Sequence, residues 1–166
     1  MRILGAVLAG GESRRFGSDK AEALLDSKRL IDHAAASIAP FCETVVIVGR
    51  TGGVPDRPAP GLGPLGGLCG ALTYGAEAGF EAVLTTACDV PDLPELLLSA
   101  LTASPPAVAA SLPVVGVWPT SLAGRLADYL ESGSPRAMRA WCETAGATMV
   151  AWPEPIRNIN RPEDLR

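Results

Sequence analysis

Three short apolar runs punctuate the first half of the chain: ILGAVLA at 3–9, TVVIVG at 44–49 and AVLTTA at 82–87. Each is too short for a helix and rich in Val, Ile, Leu or Thr, the pattern of parallel strands covered on both faces. Helical periodicity lies between them. LIDHAAASIA (30–39) sets Ile31, Ala34, Ala35 and Ile38 along one face, and LGGLCGALTYGAEAG (65–79) reads as a looser, glycine-rich helix. LPELLLSAL (93–101) reads as a third, opened by Asp92 as its cap. This alternation predicts βαβ units and an open α/β sheet.

The second half is less regular. AVAAS (107–111), VVGVW (114–118) and ATMVAW (147–152) read as strands. SLAGRLADYLESG (121–133) reads as a helix ended by Gly133, and SPRAMRAWCETAG (134–146) as one with Ser134 as cap and Pro135 at its first position. RPEDLR (161–166) is expected to form a terminal helical turn. There is no internal repeat, and 166 residues suit one domain spanning 1–166. The Pro/Gly-rich stretch at 51–67 is close to both flanking elements, which makes it a site loop and not a linker.

Composition narrows the partners. Lys+Arg number 14 against 18 Asp+Glu, a net charge of −4, which disfavours a nucleic-acid polyanion but leaves room for a small phosphate ligand. No segment approaches the ~20 apolar residues of a membrane span, so a cytoplasmic protein is expected. Cys42, Cys69, Cys88 and Cys142 form no CxxC pair and His33 is the single histidine, so the cysteines read as reduced, mostly buried thiols. His33 reads as packing or surface.

The first apolar run stops on Gly10-Gly11, and Arg14, Arg15 and Lys20 follow closely. Open α/β sheets bind ligands beyond the carboxyl ends of their strands. Adjacent glycines there let backbone approach a ligand, and Arg15 and Lys20 offer a planar fork and a point charge to phosphate oxygens. The stretch is equally compatible with a solvated charged turn. It is not a Walker A loop, and GLGPLG (61–66) matches G-x-G-x-x-G only formally, because a proline-rich loop and not a strand precedes it. Asp89, in CDVPDL directly after the third strand, is placed either for Mg²⁺ or as a helix cap. Asp56 alone is an ordinary loop aspartate. Arg136 and Arg139 read as an exposed helix face, with an anionic acceptor as the alternative.

LAGGESRRFGSDK (8–20) resembles the signature of the molybdenum cofactor guanylyltransferases, within the nucleotidyltransferase superfamily. GPLGGL (63–68), CDVP (88–91) and NINRPEDL (158–165) resemble further blocks of that family, in the same order. The resemblance implies a three-layer, Rossmann-like nucleoside-triphosphate-transferase fold with a mostly parallel central sheet. It implies transfer of GMP from GTP to the phosphate of molybdopterin-bound molybdenum cofactor, with Mg²⁺ required and pyrophosphate released. Leu8, Ala9, Gly10 and Gly11 would carry the nucleotide, Arg15 and Lys20 would hold the triphosphate as catalytic cations, Asp56 would lie on the nucleotide side, and Asp89 would bind Mg²⁺ beside the nucleotide. LAGG is typical of guanylyl-transferring relatives and LAAG of cytidylyl-transferring ones. Transient contact with proteins that deliver or accept the cofactor is implied as well. The chain departs from the family pattern in two places. Val48 and Gly49 stand where relatives often carry an asparagine, and a fuller hairpin of relatives is replaced by a direct passage from AVAAS to Leu112-Pro113. A same-fold enzyme with another acceptor or with CTP, and a non-catalytic nucleotide binder, are the competing readings.

Overall fold

The computed structural model describes residues 1–11 and 19–166. Its elements run β1 (Ile3–Leu8), β2 (Leu24–Leu25), β3 (Lys28–Arg29), α1 (Leu30–Ile38), β4 (Thr44–Val48), α2 (Pro64–Glu77), β5 (Ala82–Ala87) and α3 (Glu95–Ala103). The second half adds β6 (Ala107–Ala109), β7 (Leu112–Pro119), α4 (Ala123–Glu131), α5 (Met138–Ala145) and β8 (Thr148–Val150). Six strands form one sheet in the order β4-β1-β5-β7-β6-β8, and β2 pairs with β3 in a separate small hairpin. The pairs β1–β4, β1–β5 and β6–β8 are parallel, while β7 runs antiparallel to β5 and β6. The expected α/β class with a mostly parallel central sheet is therefore what the chain forms.

Strand alternation builds two cores from one sheet. In β1, Leu4, Ala6 and Leu8 face a core shared with α2, α4 and α5, through Leu68, Leu72, Leu126, Leu130 and Trp141. Ile3 and Val7 face the opposite core, filled by Ile31, Ala34 and Ile38 of α1 and Leu97, Leu98 and Leu101 of α3. The result is three layers, helix on sheet on helix, which is why β1 is buried along its whole length and β5 along all but its last residue. The second predicted strand behaves differently. β4 lies at the sheet edge, and Val45, Val46 and Ile47 are only half-buried instead of covered on both faces.

Several boundaries differ from the sequence expectation. Asp92 does not cap α3. Pro91 and Pro94 hold the backbone extended, the helix starts at Glu95, and Pro94 occupies the cap position. Ser134 and Pro135 likewise do not open α5, which starts at Met138 after Ala137. Instead Ser134 shares a hydrogen bond with Ser132 at 2.7 Å, and the Pro135 carbonyl accepts from the Tyr129 hydroxyl at 2.6 Å. The strand expected over 107–111 stops at Ala109, because Ala110 and Ser111 form the turn into β7. The β2–β3 hairpin was not anticipated. Asp26 and Ser27 both adopt positive φ, 51° and 65°, which closes a two-residue turn with the twist a hairpin needs. His33 serves this hairpin: its Nε2–H donates to the Leu25 carbonyl at 2.6 Å.

Candidate active site

Sheet register places the site. Leu8 at the end of β1 is level with Val48 of β4 on one side and Ala87 of β5 on the other. The residues that follow this row, Gly10-Gly11, Gly49-Arg50 and Cys88-Asp89, therefore emerge together at the carboxyl rim. The chain also passes from β1 to one neighbour and then across to the other, so this rim is the sheet's topological switch point. Backbone bonds tie the three loops to the sheet: Ala9 N–H donates to Val48 O at 2.9 Å, and Cys88 N–H to Leu8 O at 3.3 Å.

A cavity of about 380 Å³ opens at this rim, lined by Gly10, Gly11, Gly49, Arg50, Asp56 and Gly61 among others. Its wall of glycines is a steric requirement. A Cβ on Gly49, whose φ is +88°, would lie 2.7 Å from Gly10 Cα and N and 3.1 Å from Asp56 Oδ1. Two backbones in direct contact at the ends of β1 and β4 explain why no side chain stands at 49. Asp56 projects into this cradle. A Cβ on Gly10 would be 3.6 Å from its Oδ2, and one on Gly66 would be 3.4 Å from the same atom. Its Oδ1 is buried and accepts no hydrogen bond. Burial accordingly pushes the Asp56 carboxyl above its ordinary value. Asp56 lines the cavity, while its Oδ1 is packed away from solvent beside Gly49 and Gly67.

On the other side of Gly10-Gly11, Lys20 Nζ donates to Asp89 Oδ2 at 3.4 Å. Both side chains are largely covered, at 17% and 22% exposure. Asp89 caps no helix, since α3 begins six residues later. The Ile159 N–H donates to its carbonyl at 2.8 Å, which ties the NINRPEDL segment to the Asp89 loop. Lys20 begins a short helical turn, Lys20–Glu22, whose amide at Ala21 is capped by Asp19 Oδ1 at 3.2 Å. Arg50 donates to both Asp19 oxygens, at 3.0 and 2.7 Å, and to Glu22 Oε1 at 3.3 Å. These bonds hold the Asp19 carboxyl below its usual range. The Cys88 thiol beside Asp89 is pushed up to about 11, by burial first and by the Asp89 charge second, so it is protonated and unsuited to nucleophilic attack.

The sequence-derived site residues thus fall into two groups on one rim: Gly10, Gly11 and Asp56 around the cavity, Lys20 and Asp89 as a pair. Leu8 and Ala9 are buried and contribute through their backbone. Arg15 lies outside the described residues. Arg50 was not singled out from the sequence, because its role depends on partners about thirty positions away. Arg136 donates to Gly61 O at 3.3 Å and Arg139 to Ala110 O at 3.0 Å, so both exposed arginines brace loops.

Asp89 offers one hard oxygen donor, and among the described residues no three His, Cys, Asp or Glu side chains cluster as a ready-made metal cage. The chemistry of a lone carboxylate fits Mg²⁺, which takes one or two carboxylates and completes its shell with substrate oxygens and water.

Residues 5–149 match the MobA-like NTP transferase domain family. The chain belongs to the molybdenum cofactor guanylyltransferase family. It is 37% identical to a molybdenum cofactor guanylyltransferase of Rhodobacter capsulatus over 99% of its own length and 94% of the relative's. It is 33% identical to one of Rhizobium johnstonii, covering 98% and 90%. Among solved structures, molybdopterin-guanine dinucleotide biosynthesis protein A of Archaeoglobus fulgidus superposes with a TM-score of 0.75 at 25% identity, over 98% of this chain and 94% of that one. The chain is therefore a nucleotidyltransferase, and the family's three-layer fold is the one described above. Among the described residues no helix is long and apolar enough to cross a membrane.

Proposed function

We propose that this nucleotidyltransferase moves GMP from GTP onto the phosphate of molybdopterin-bound molybdenum cofactor. The products are the guanine dinucleotide form of the cofactor and pyrophosphate. The observation that carries the choice of donor is the Asp56 carboxylate on the wall of the glycine-lined cavity. A carboxylate only accepts hydrogen bonds. Guanine presents two adjacent N–H donors on its pairing edge, whereas cytosine presents one amino donor beside two acceptors. Gly10 matters for the same reason: an added Cβ would sit 3.3 Å from Gly49 Cα and narrow the space in front of Asp56.

The acceptor phosphate oxygen attacks the α-phosphorus of GTP as the bond from that phosphorus to the bridging oxygen of pyrophosphate breaks. Two anions meet, so the protein's task is alignment and neutralisation, with no covalent intermediate. The acceptor phosphate is already ionised and needs no general base, consistent with His33 being committed to the β2–β3 hairpin. Backbone at Leu8–Gly11 and the Asp56 carboxylate orient the nucleoside. Lys20 stabilises charge gathering on the departing pyrophosphate, and the family signature assigns Arg15 the same role. Asp89 would hold Mg²⁺, which when bound neutralises and aligns phosphate oxygens. The same reading places the enzyme in the cytoplasm, in transient contact with proteins that deliver or take the cofactor.

The test is pyrophosphate release from the purified chain with Mg²⁺ and molybdopterin-bound molybdenum cofactor, comparing GTP with CTP. GTP-dependent release is expected; equal release from CTP would remove the role given to Asp56 and Gly10, and no release from either would remove the transferase reading.

A further inference from the structure

Lys20 does not sit on a strand or a long helix. It is carried by a single helical turn, Lys20–Glu22, outside the sheet strands whose ends fix Gly10 and Asp89. Asp19, just before Lys20, and Glu22, two residues after it, both point to the same guanidinium: Arg50 Nη1 and Nη2 donate to Asp19, and Nη2 also to Glu22. Arg50 in turn follows Gly49, which is wedged against Gly10, and it lines the base-side cavity. From the opposite side Arg29 donates to both Glu22 oxygens at 3.1 Å and to Asp32 of α1. One planar fork therefore staples both flanks of the turn to the β4 rim.

We infer that Arg50 is a positioning residue for the transfer, acting through Asp19 and Glu22 to hold Lys20 at the triphosphate side of the site. This rests on the proposed GTP-dependent activity. It assigns to the loop after β4 a role in placing the catalytic lysine, in addition to lining the base cavity. The geometry needs the fork: two parallel N–H bonds orient the turn, whereas a lysine at 50 would supply only a point charge. Because the pairs are half-exposed, at 28% for Arg50 and 49% for Asp19, their loss costs little stability.

A double-mutant cycle in the full-length chain separates positioning from direct nucleotide contact. Asp19→Asn keeps the oxygen that caps Ala21 but loses the charged partner; Arg50→Gln loses the fork. Each single variant is expected to lower kcat/KM for GTP about tenfold, and the double variant about tenfold as well, because the bidentate Arg50–Asp19 linkage is broken in all three. Melting temperatures should stay within about 2 °C of one another. Arg50→Lys should remain impaired. Additive losses approaching a hundredfold in the double variant, or full rescue by Arg50→Lys, would show that Arg50 acts on the nucleotide by charge and overturn the inference. So would unchanged kinetics in both single variants. Absence of GTP binding or turnover in the unmodified chain would instead overturn the proposed function, and the inference with it.

Discussion

Replacing Asp56 by asparagine should make the ligand-free protein more stable while impairing it as an enzyme. The carboxylate is buried beside Gly10, Gly49 and Gly66, and its Oδ1 has no partner. An unsatisfied buried polar atom costs roughly 1–3 kcal/mol, more when charged. Asp56 keeps part of its surface in water, so neutralising it should recover the lower part of that range, about 1 kcal/mol. For a chain of this length that is about 2–4 °C in Tm. The sign with pH follows from the raised carboxyl, whose ordinary value is 3.8. Below that value the group is protonated in folded and unfolded chains alike, and burial carries no charge penalty. As pH rises through the elevated native value the folded chain must bury a charge, so stability is lost on the alkaline side. The variant's Tm advantage should therefore be near zero at pH 3.5 and fully developed at pH 7, which thermal unfolding of both proteins would measure. The other carboxylates titrate in both chains and cancel in the difference. GTP binding should meanwhile weaken roughly ten- to a hundredfold, the worth of a charge-assisted hydrogen bond. A Tm difference that is negative at pH 7, or independent of pH, would refute the reasoning.

Lys20→Ala and Asp89→Ala should each lower pyrophosphate release at least ~10²-fold, the scale of losing one preorganised electrostatic contact, with near-normal rates disproving their roles. Gly49→Ala should destabilise the chain by roughly 1–3 kcal/mol in a denaturant titration, since it combines a positive φ with a 2.7 Å approach to Gly10. Leu68→Ala, in the fully buried seam between α2 and the sheet, should cost roughly 2–5 kcal/mol by the same assay. GTP with Mg²⁺ should raise the melting temperature of the unmodified chain more than CTP at equal concentration, as any ligand that binds only the folded state does.

Much of the fold was legible along the chain because its signals are local. Runs such as Ile3–Leu8 and Ala82–Ala87 advertise two-sided burial, and α5 stops at Gly146, φ 70°, the last residue of the helical stretch read there. Helix starts were less legible. At Asp92 and Ser134 the residue type suited a cap, but neighbouring prolines kept the backbone extended for two to three more residues. The β2–β3 turn carried no glycine to announce it, and β4 looked like a central strand although it lies at the edge. Edge and centre differ only in what packs against them.

The sequence by itself determined the chemistry available at the rim: glycines where backbone must approach a ligand, a lysine after the first apolar run and an aspartate after the third, and the family signature that joins them. Tertiary structure alone decided how those groups act. Register between β4, β1 and β5 brings residues 10, 49 and 89 to one level, and the contact of Gly10 with Gly49 shapes the cavity that Asp56 lines. The fork of Arg50 reaches Asp19 across thirty-one positions. Residue types are written into the chain one position at a time, whereas burial, vacancy and pairing arise only between segments that folding brings together.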